Sequence, residues 1–131
     1  MEEDSAWASR ISDLALPPQL GRFWPGALTI IFPARSGGTA ALRMPDNRFL
    51  RNLLTTLDQP LFSTSVNRAG LPPMITVEDM RREFEGDVDA IYDAGDQGPG
   101  QPSTMVDITR RPFAILRQGA VHLRQEDLER L

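Results

Sequence analysis

Three stretches of this chain set small hydroxyl or amide side chains beside an arginine or an acid. They are Ser63-Thr64-Ser65-Val66-Asn67-Arg68-Ala69-Gly70, Gln101-Pro102-Ser103-Thr104-Met105-Val106-Asp107 and Ile115-Leu116-Arg117-Gln118-Gly119. Hydroxyls and free amides in loops at strand ends are what an open α/β sheet uses to hold anionic or polar ligands. Each stretch also has a plain structural reading: a Ser/Asn-rich turn, a strand initiated after a flexible connection, and a surface arginine. Arg43, at the end of Ala40-Ala41-Leu42-Arg43-Met44-Pro45-Asp46, has the same character. An arginine leaving an apolar strand is often buried against a carboxylate, and Asp46 or Asp107 is the expected partner.

Composition narrows the chemistry. The 131 residues include 14 basic and 18 acidic side chains, one histidine and no cysteine, and every basic residue is arginine. A thiolate nucleophile, a cysteine-ligated metal, a multi-histidine metal site, a Schiff base and a P-loop lysine are therefore all excluded. Any anion held by a side-chain cation is held by an arginine fork, which suits carboxylates and phosphates. The all-arginine set also fits a GC-rich coding sequence. A net charge of −4 argues against a protein that mainly coats nucleic acid or anionic membrane. The acidic start and the short apolar run from Ala27 to Ala34 point to a cytoplasmic chain with no membrane span and no secretory signal.

The elements that must position these residues follow from periodicity. A helix is expected over 5–16, with Trp7, Ile11 and Leu14 on one face and Pro17-Pro18 ending it. Ala27 to Phe32 reads as a strand buried on both faces and stopped by Pro33, followed by a Ser36-Gly37-Gly38 turn and a strand from Thr39 to Met44. Asp46 is expected to cap a helix whose stripe is Phe49, Leu50, Leu53, Leu54 and Leu57. A short strand from Pro60 to Thr64, a polar loop over 65–75 and a capping pattern at Thr76-Val77-Glu78-Asp79 opening a helix to Phe84 come next. Val88 to Tyr92 alternates like a strand, and Ala94 to Pro102 is too rich in glycine and proline for a regular element. Strands from Thr104 to Ile108 and Phe113 to Leu116, then a helix containing Leu128 and Leu131, complete one α/β domain with a mixed sheet over 1–131.

Taken in order, several segments resemble the YrdC-like family, the threonylcarbamoyl-AMP synthases. Phe23-Trp24-Pro25-Gly26-Ala27-Leu28-Thr29 is similar to its Phe-Trp-Pro-Gly segment, Leu42-Arg43-Met44-Pro45-Asp46 to its strand-end arginine motif, and Ser63 to Gly70 to its Ser-x-Asn loop. Pro102 to Asp107 and Ile115 to Ala120 resemble its last two motifs. Ala27, Val66 and Ala69 depart from the common proline, alanine and serine.

The resemblance implies a YrdC-like twisted mixed sheet with flanking helices. It implies a nucleotidyltransferase that makes threonylcarbamoyl-adenylate from L-threonine, bicarbonate and ATP for the t6A modification of tRNA, with Mg²⁺ held mainly by phosphates. By the matched motifs, Arg43, Ser63 and Ser103 would bind threonine. Ser65 and Asn67 would serve catalysis, and Thr39, Ser65, Pro73 and Arg117 would bind ATP. Only 22 residues precede Phe23, and they hold no Lys-x-Arg motif for the triphosphate, so the likeness covers the C-terminal part of the domain and implies an exposed sheet edge open to self-association. His122 lies past the last motif and receives no role. A catalytically incomplete nucleotide- or RNA-binding module of the same fold, and a carbamoyl-adenylate domain of a hydrogenase-maturation carbamoyltransferase, are the competing readings. The partners that the resemblance implies extend to other tRNA-modification proteins.

Overall fold

The computed structural model describes residues 7–96 and 100–129. The chain divides into two compact units, one made of Met1–Leu61 with Gln101–Leu131 and the other of Phe62–Gly100. In the first unit, strands β1 (Leu28–Pro33), β2 (Thr39–Arg43), β3 (Thr104–Asp107) and β4 (Ala114–Arg117) form a sheet in the order β2-β1-β3-β4. β1 and β3 run parallel, and the two outer pairings are antiparallel. This is the expected mixed α/β sheet.

Its core face follows from alternation. Leu28, Ile30 and Phe32 are fully buried, and the register sets Thr104 and Val106 beside the first two. Trp24, Leu20, Phe113, Leu123 and Leu128 pack into the same cluster. Complete burial of each large side chain contributes about 1.5–3 kcal/mol, against about 0–1 kcal/mol for an exposed ion pair, so this face dominates the stability of the unit. The expectation that β1 is buried on both faces is corrected: Thr29 and Ile31, on the opposite face, are only half-buried. The Phe23-Trp24-Pro25-Gly26 segment is structural. Trp24 is buried and donates its Nε1–H to Leu28 O at 2.8 Å, and Gly26 N donates to Met44 O at 2.8 Å.

Several expected elements change. The helix expected over 5–16 is helical only over 7–9 (α1) among the described residues. The carbonyls that would continue it go to Arg35, whose backbone N–H reaches Ile11 O at 2.7 Å and whose Nη2 reaches Ser9 O at 2.6 Å; the Ser12 hydroxyl meanwhile accepts from Leu14 N. Pro18 opens a short helix, α2 (Pro18–Gly21), because proline is well suited to a first helical position. Asn47, not Asp46, caps α3 (Arg48–Leu57): its side chain accepts from Leu50 N at 3.0 Å. The apolar stripe of α3 is exposed or half-exposed, with no residue fully buried. Neither Pro60 to Thr64 nor Val88 to Tyr92 is a strand, since neither has a ladder partner among the described residues to take up its backbone groups. The last helix, α5 (Gln125–Glu129), buries Leu128, and Leu131 lies outside the described residues.

In the second unit, α4 (Val77–Phe84) begins as expected, with Thr76 Oγ1 accepting from Asp79 N at 3.2 Å and acidic residues in the first turn. Arg68 holds the preceding loop to this helix. Its Nε meets Glu83 Oε1 at 2.7 Å, its Nη2 meets Asp87 Oδ2 at 3.0 Å, and its guanidinium lies 4.5 Å from the Phe84 ring centroid. The hydrogen bonds that it donates to Glu83 and then to Asp87 push the arginine's pKa up, so it remains charged.

Asp107, at the end of β3, shows how a buried acid is kept ionised. Burial pushes its pKa up, but Thr109 Oγ1 at 2.6 Å, Thr109 N at 2.8 Å and Arg110 Nε at 3.0 Å together hold it below the ordinary carboxylate value. Its contribution to stability is therefore present above about pH 4 and is lost as the pH falls through the lowered folded pKa. In chemical denaturation from about pH 5 to pH 2, the chain should lose stability with acid. Asp107→Asn should lower stability at neutral pH by about 1–3 kcal/mol and flatten that acid limb; an unchanged limb would show that Asp107 is not its source.

Candidate functional site

The face of the sheet opposite the core carries a cross-strand row with an arginine at each end. Thr29 pairs with Arg43 on β2 and with Met105 on β3, and Met105 pairs with Arg117 on β4. Cross-strand partners share a face, so Arg43 and Arg117 flank Thr29 and Met105 across three strand spacings, about 14 Å of sheet. Strict alternation alone would not do this. With Ile115 opposite Val106, an unbroken antiparallel register would set Arg117 against Thr104 on the core face. An extra residue on β4, Leu116, falls at a register shift between Met105 and Val106, and this bulge carries Arg117 into the Thr29 row.

Ser103 sits at the centre of the site. It is 5% exposed, its Oγ lies 2.6 Å from Thr29 Oγ1, and Arg117 donates from Nη2 to the same Oγ at 3.1 Å and from Nε to Ser103 O at 2.9 Å. The Gly119 turn fixes this backbone. Ala120 N donates to Pro102 O at 3.0 Å, and Gly119 N donates to Thr104 Oγ1 at 2.9 Å. The Thr104 hydroxyl in turn donates to Val121 O. A Cβ on Gly119 would stand 2.1 Å from Pro102 O and 2.6 Å from Ser103 C, so only glycine fits.

The arrangement brings together Ser103, Arg117 and Arg43 of the sequence-identified residues. Arg43 is exposed and makes no ion pair with any described residue; the expected pairing with Asp46 or Asp107 is not made, because Asp107 is taken up by Thr109 and Arg110. Thr39 lies at the far end of β2, four residues from Arg43 or about 13 Å along the strand. Ser63, Ser65, Asn67 and Pro73 belong to the Phe62–Gly100 unit. There the Ser65 hydroxyl donates to Asn67 Oδ1, and Asn67 Nδ2 donates to Arg68 O at 3.1 Å and Leu71 O at 3.0 Å. Asn67 thus spends its amide on holding its own loop and orienting Ser65. Ser63 and Pro73 are exposed. Thr29 was missed as a site residue. Its signal was a lone hydroxyl in the apolar run Leu28-Thr29-Ile30-Ile31-Phe32, out of phase with the core positions.

The donors of the row are guanidiniums and hydroxyls, which suit carboxylate and phosphate oxygens. Among the described residues, no group of three or more His, Asp or Glu gathers to hold a metal ion. Gly119→Ala should cost about 1–3 kcal/mol by forcing the backbone apart, and Arg117→Ala about 0.5–1.5 kcal/mol for its hydrogen bonds. Urea denaturation of the two variants checks this order, and the reverse order would contradict the close approach as the dominant constraint.

Comparison with known proteins agrees with this architecture. The Sua5/YciO/YrdC family model, described as "Telomere recombination", matches residues 5–119, and so reaches into the segment ahead of Phe23 where no motif was read. The chain is 32% identical over 119 residues to the threonylcarbamoyl-AMP synthase of Pyrococcus abyssi, covering 84% of this chain and 34% of that protein. It is 30% identical over 129 residues to the threonylcarbamoyl-AMP synthase of Bacillus subtilis, covering 86% of this chain and 37% of that protein. It is also similar to the crystal structure of P. abyssi Sua5 complexed with L-threonine, with a TM-score of 0.72 and 28% identity over 83% of this chain and 36% of that one. The chain thus spans about a third of the length of these relatives. No described helix is long and apolar enough to cross a membrane. With a family match over most of its length and the mixed sheet of its relatives, the chain belongs to the Sua5/YciO/YrdC family.

Proposed function

We propose that this chain carries part of a threonylcarbamoyl-AMP synthase site, acting on L-threonine, bicarbonate and ATP in the cytoplasm to supply the t6A modification of tRNA. The observation that carries this reading is the row Arg43–Thr29–Met105–Arg117 with the buried Ser103 bonded into it, two arginines flanking the Thr29 and Ser103 hydroxyls on the face away from the core. The relatives named as threonylcarbamoyl-AMP synthases, and the related structure that holds L-threonine, support it.

In this reading Arg43 pairs with the threonine carboxylate and Ser103 donates to the amino acid. Arg117 both holds Ser103 and faces the nucleotide. Attack of a carbamate oxygen on the α-phosphorus, with pyrophosphate leaving, needs reactants held in line and charge neutralised more than it needs a proton-transfer residue. A chain without cysteine or lysine can supply that positioning through guanidiniums and hydroxyls. Mg²⁺ enters with the triphosphate, held by its oxygens and by water. Thr39 is a further proposed ATP contact on the sheet-bearing unit; taken by itself, the Phe62–Gly100 unit offers Ser65, oriented by Asn67, with Ser63 and Pro73 as proposed ligand contacts of its own. β2 and β4 are the outer strands among the described residues, and their outer edges are where pairing with another copy or another strand-bearing protein would occur.

Pyrophosphate release that depends on both L-threonine and bicarbonate tests the activity. Arg43→Ala should weaken L-threonine binding roughly tenfold to hundredfold, the worth of a charged hydrogen bond, while changing ATP binding far less. Calorimetric titration reads both ligands. ATP binding without threonine-dependent release would favour a binding module, and an Arg43→Ala variant with unchanged affinity for L-threonine would overturn the assignment.

A further inference from the structure

Resting on the reading above, we infer that Thr29 is a positioning residue that sets the direction of the Ser103 hydroxyl, so that the Thr29–Ser103 couple offers one O–H donor to an anionic oxygen of the amino acid.

The inference follows from counting protons. Each hydroxyl has one O–H and two acceptor lone pairs. Arg117 Nη2, which can only donate, fills one acceptor position on Ser103 Oγ, and the 2.6 Å contact between Ser103 Oγ and Thr29 Oγ1 uses one of the couple's two O–H groups. Whichever oxygen donates in that contact, one O–H is left over. If Thr29 donates, both acceptor positions of Ser103 are filled, and Ser103 acts toward a ligand as a donor only. Ser103 is 5% exposed and its carbonyl is held by Arg117 Nε, so its backbone has little freedom to turn the hydroxyl elsewhere. Thr29 is also fixed, since it lies inside β1 with register partners on both sides. A donor placed between two arginines selects an acceptor such as a carboxylate oxygen. Threonine, being β-branched, favours few χ1 rotamers and holds its oxygen toward Ser103 better than a serine would.

A double-mutant cycle tests this on the whole chain, with L-threonine and ATP titrated separately and folding checked by circular dichroism. Thr29→Val keeps the shape and removes the hydroxyl. It should weaken L-threonine binding by roughly 5- to 30-fold, leave ATP affinity within about threefold, and have no further effect in a Ser103→Ala background. Thr29→Ser should restore most of the affinity, which a purely packing role would not allow. Should Thr29→Val fail to fold, Thr29→Ala takes its place in the same cycle. Independent, multiplicative effects of the two substitutions would overturn the positioning role, as would a loss confined to ATP. Binding of neither ligand by the unaltered chain would overturn the proposed function, and this inference with it, whereas binding without coupling overturns this inference alone.

Discussion

The contact on which the open face of the sheet depends is the passage of the Pro102–Ser103 backbone against Gly119. With Pro102 O only 2.1 Å from where a Cβ would stand, the two segments lie as close as peptide groups can pack. That approach lets Ala120 N bond Pro102 O and Gly119 N bond the buried Thr104 hydroxyl. It therefore fixes where β3 begins relative to where β4 ends. Ser103, caught at the crossing, is presented to Thr29 on one side and to Arg117 on the other. A bulkier residue at 119 would not merely add strain; it would release the residue around which the polar row is built.

The lysine-free composition has a structural counterpart. Arg10 donates to both the carbonyl and the carboxylate of Asp58, Arg35 joins Asp13 to Ser9 O, and Arg117 joins the carbonyl and hydroxyl of Ser103. Each contact uses two directed donors at once, as a planar fork permits and a single ammonium group does less well. Arg10 and Arg35 tie the segment around residues 7–13 to the rest of its unit, and Arg35 does so at the expense of helix. Most of these pairs are exposed and worth little individually. Their value is in fixing geometry, while the buried face of β1 supplies the bulk of the stability.

What the sequence revealed divides along physical lines. Short apolar and β-branched runs bounded by turn residues located β1 through β4 within a residue or so, but a run that is apolar throughout does not say which of its faces is buried, and β1 buries only one. The Thr76 cap was legible because a hydroxyl three residues ahead of an acid is a local arrangement. Strand readings at Pro60 to Thr64 and Val88 to Tyr92 failed because propensity cannot say whether a ladder partner exists. Asp46 and Asn47 are equivalent as cap types, and only backbone geometry chose between them. The motif arginines and Ser103 could be named from the sequence, but the Leu116 bulge, which decides the face on which Arg117 lies, leaves no mark in a run of apolar residues.

Charge balance on the open face explains why the row remains available to an anion in a chain of net charge −4. The nearest acid on that face, Asp107, sits two positions along β3 from Met105, about 7 Å from the row. It is one of the two acids expected from the sequence to pair with Arg43, from which β1 separates it. Here Thr109 and Arg110, the residues immediately following, satisfy both carboxylate oxygens. The acid is neutralised locally, by its own turn, and stays ionised without drawing on the row. Arg43 consequently keeps its charge uncompensated among the described residues, and Arg117 spends its donors on a neutral serine. Two guanidinium charges thus remain on one strip of the sheet, at the two ends of the row that pairs Arg43 with Thr29 and Met105 with Arg117.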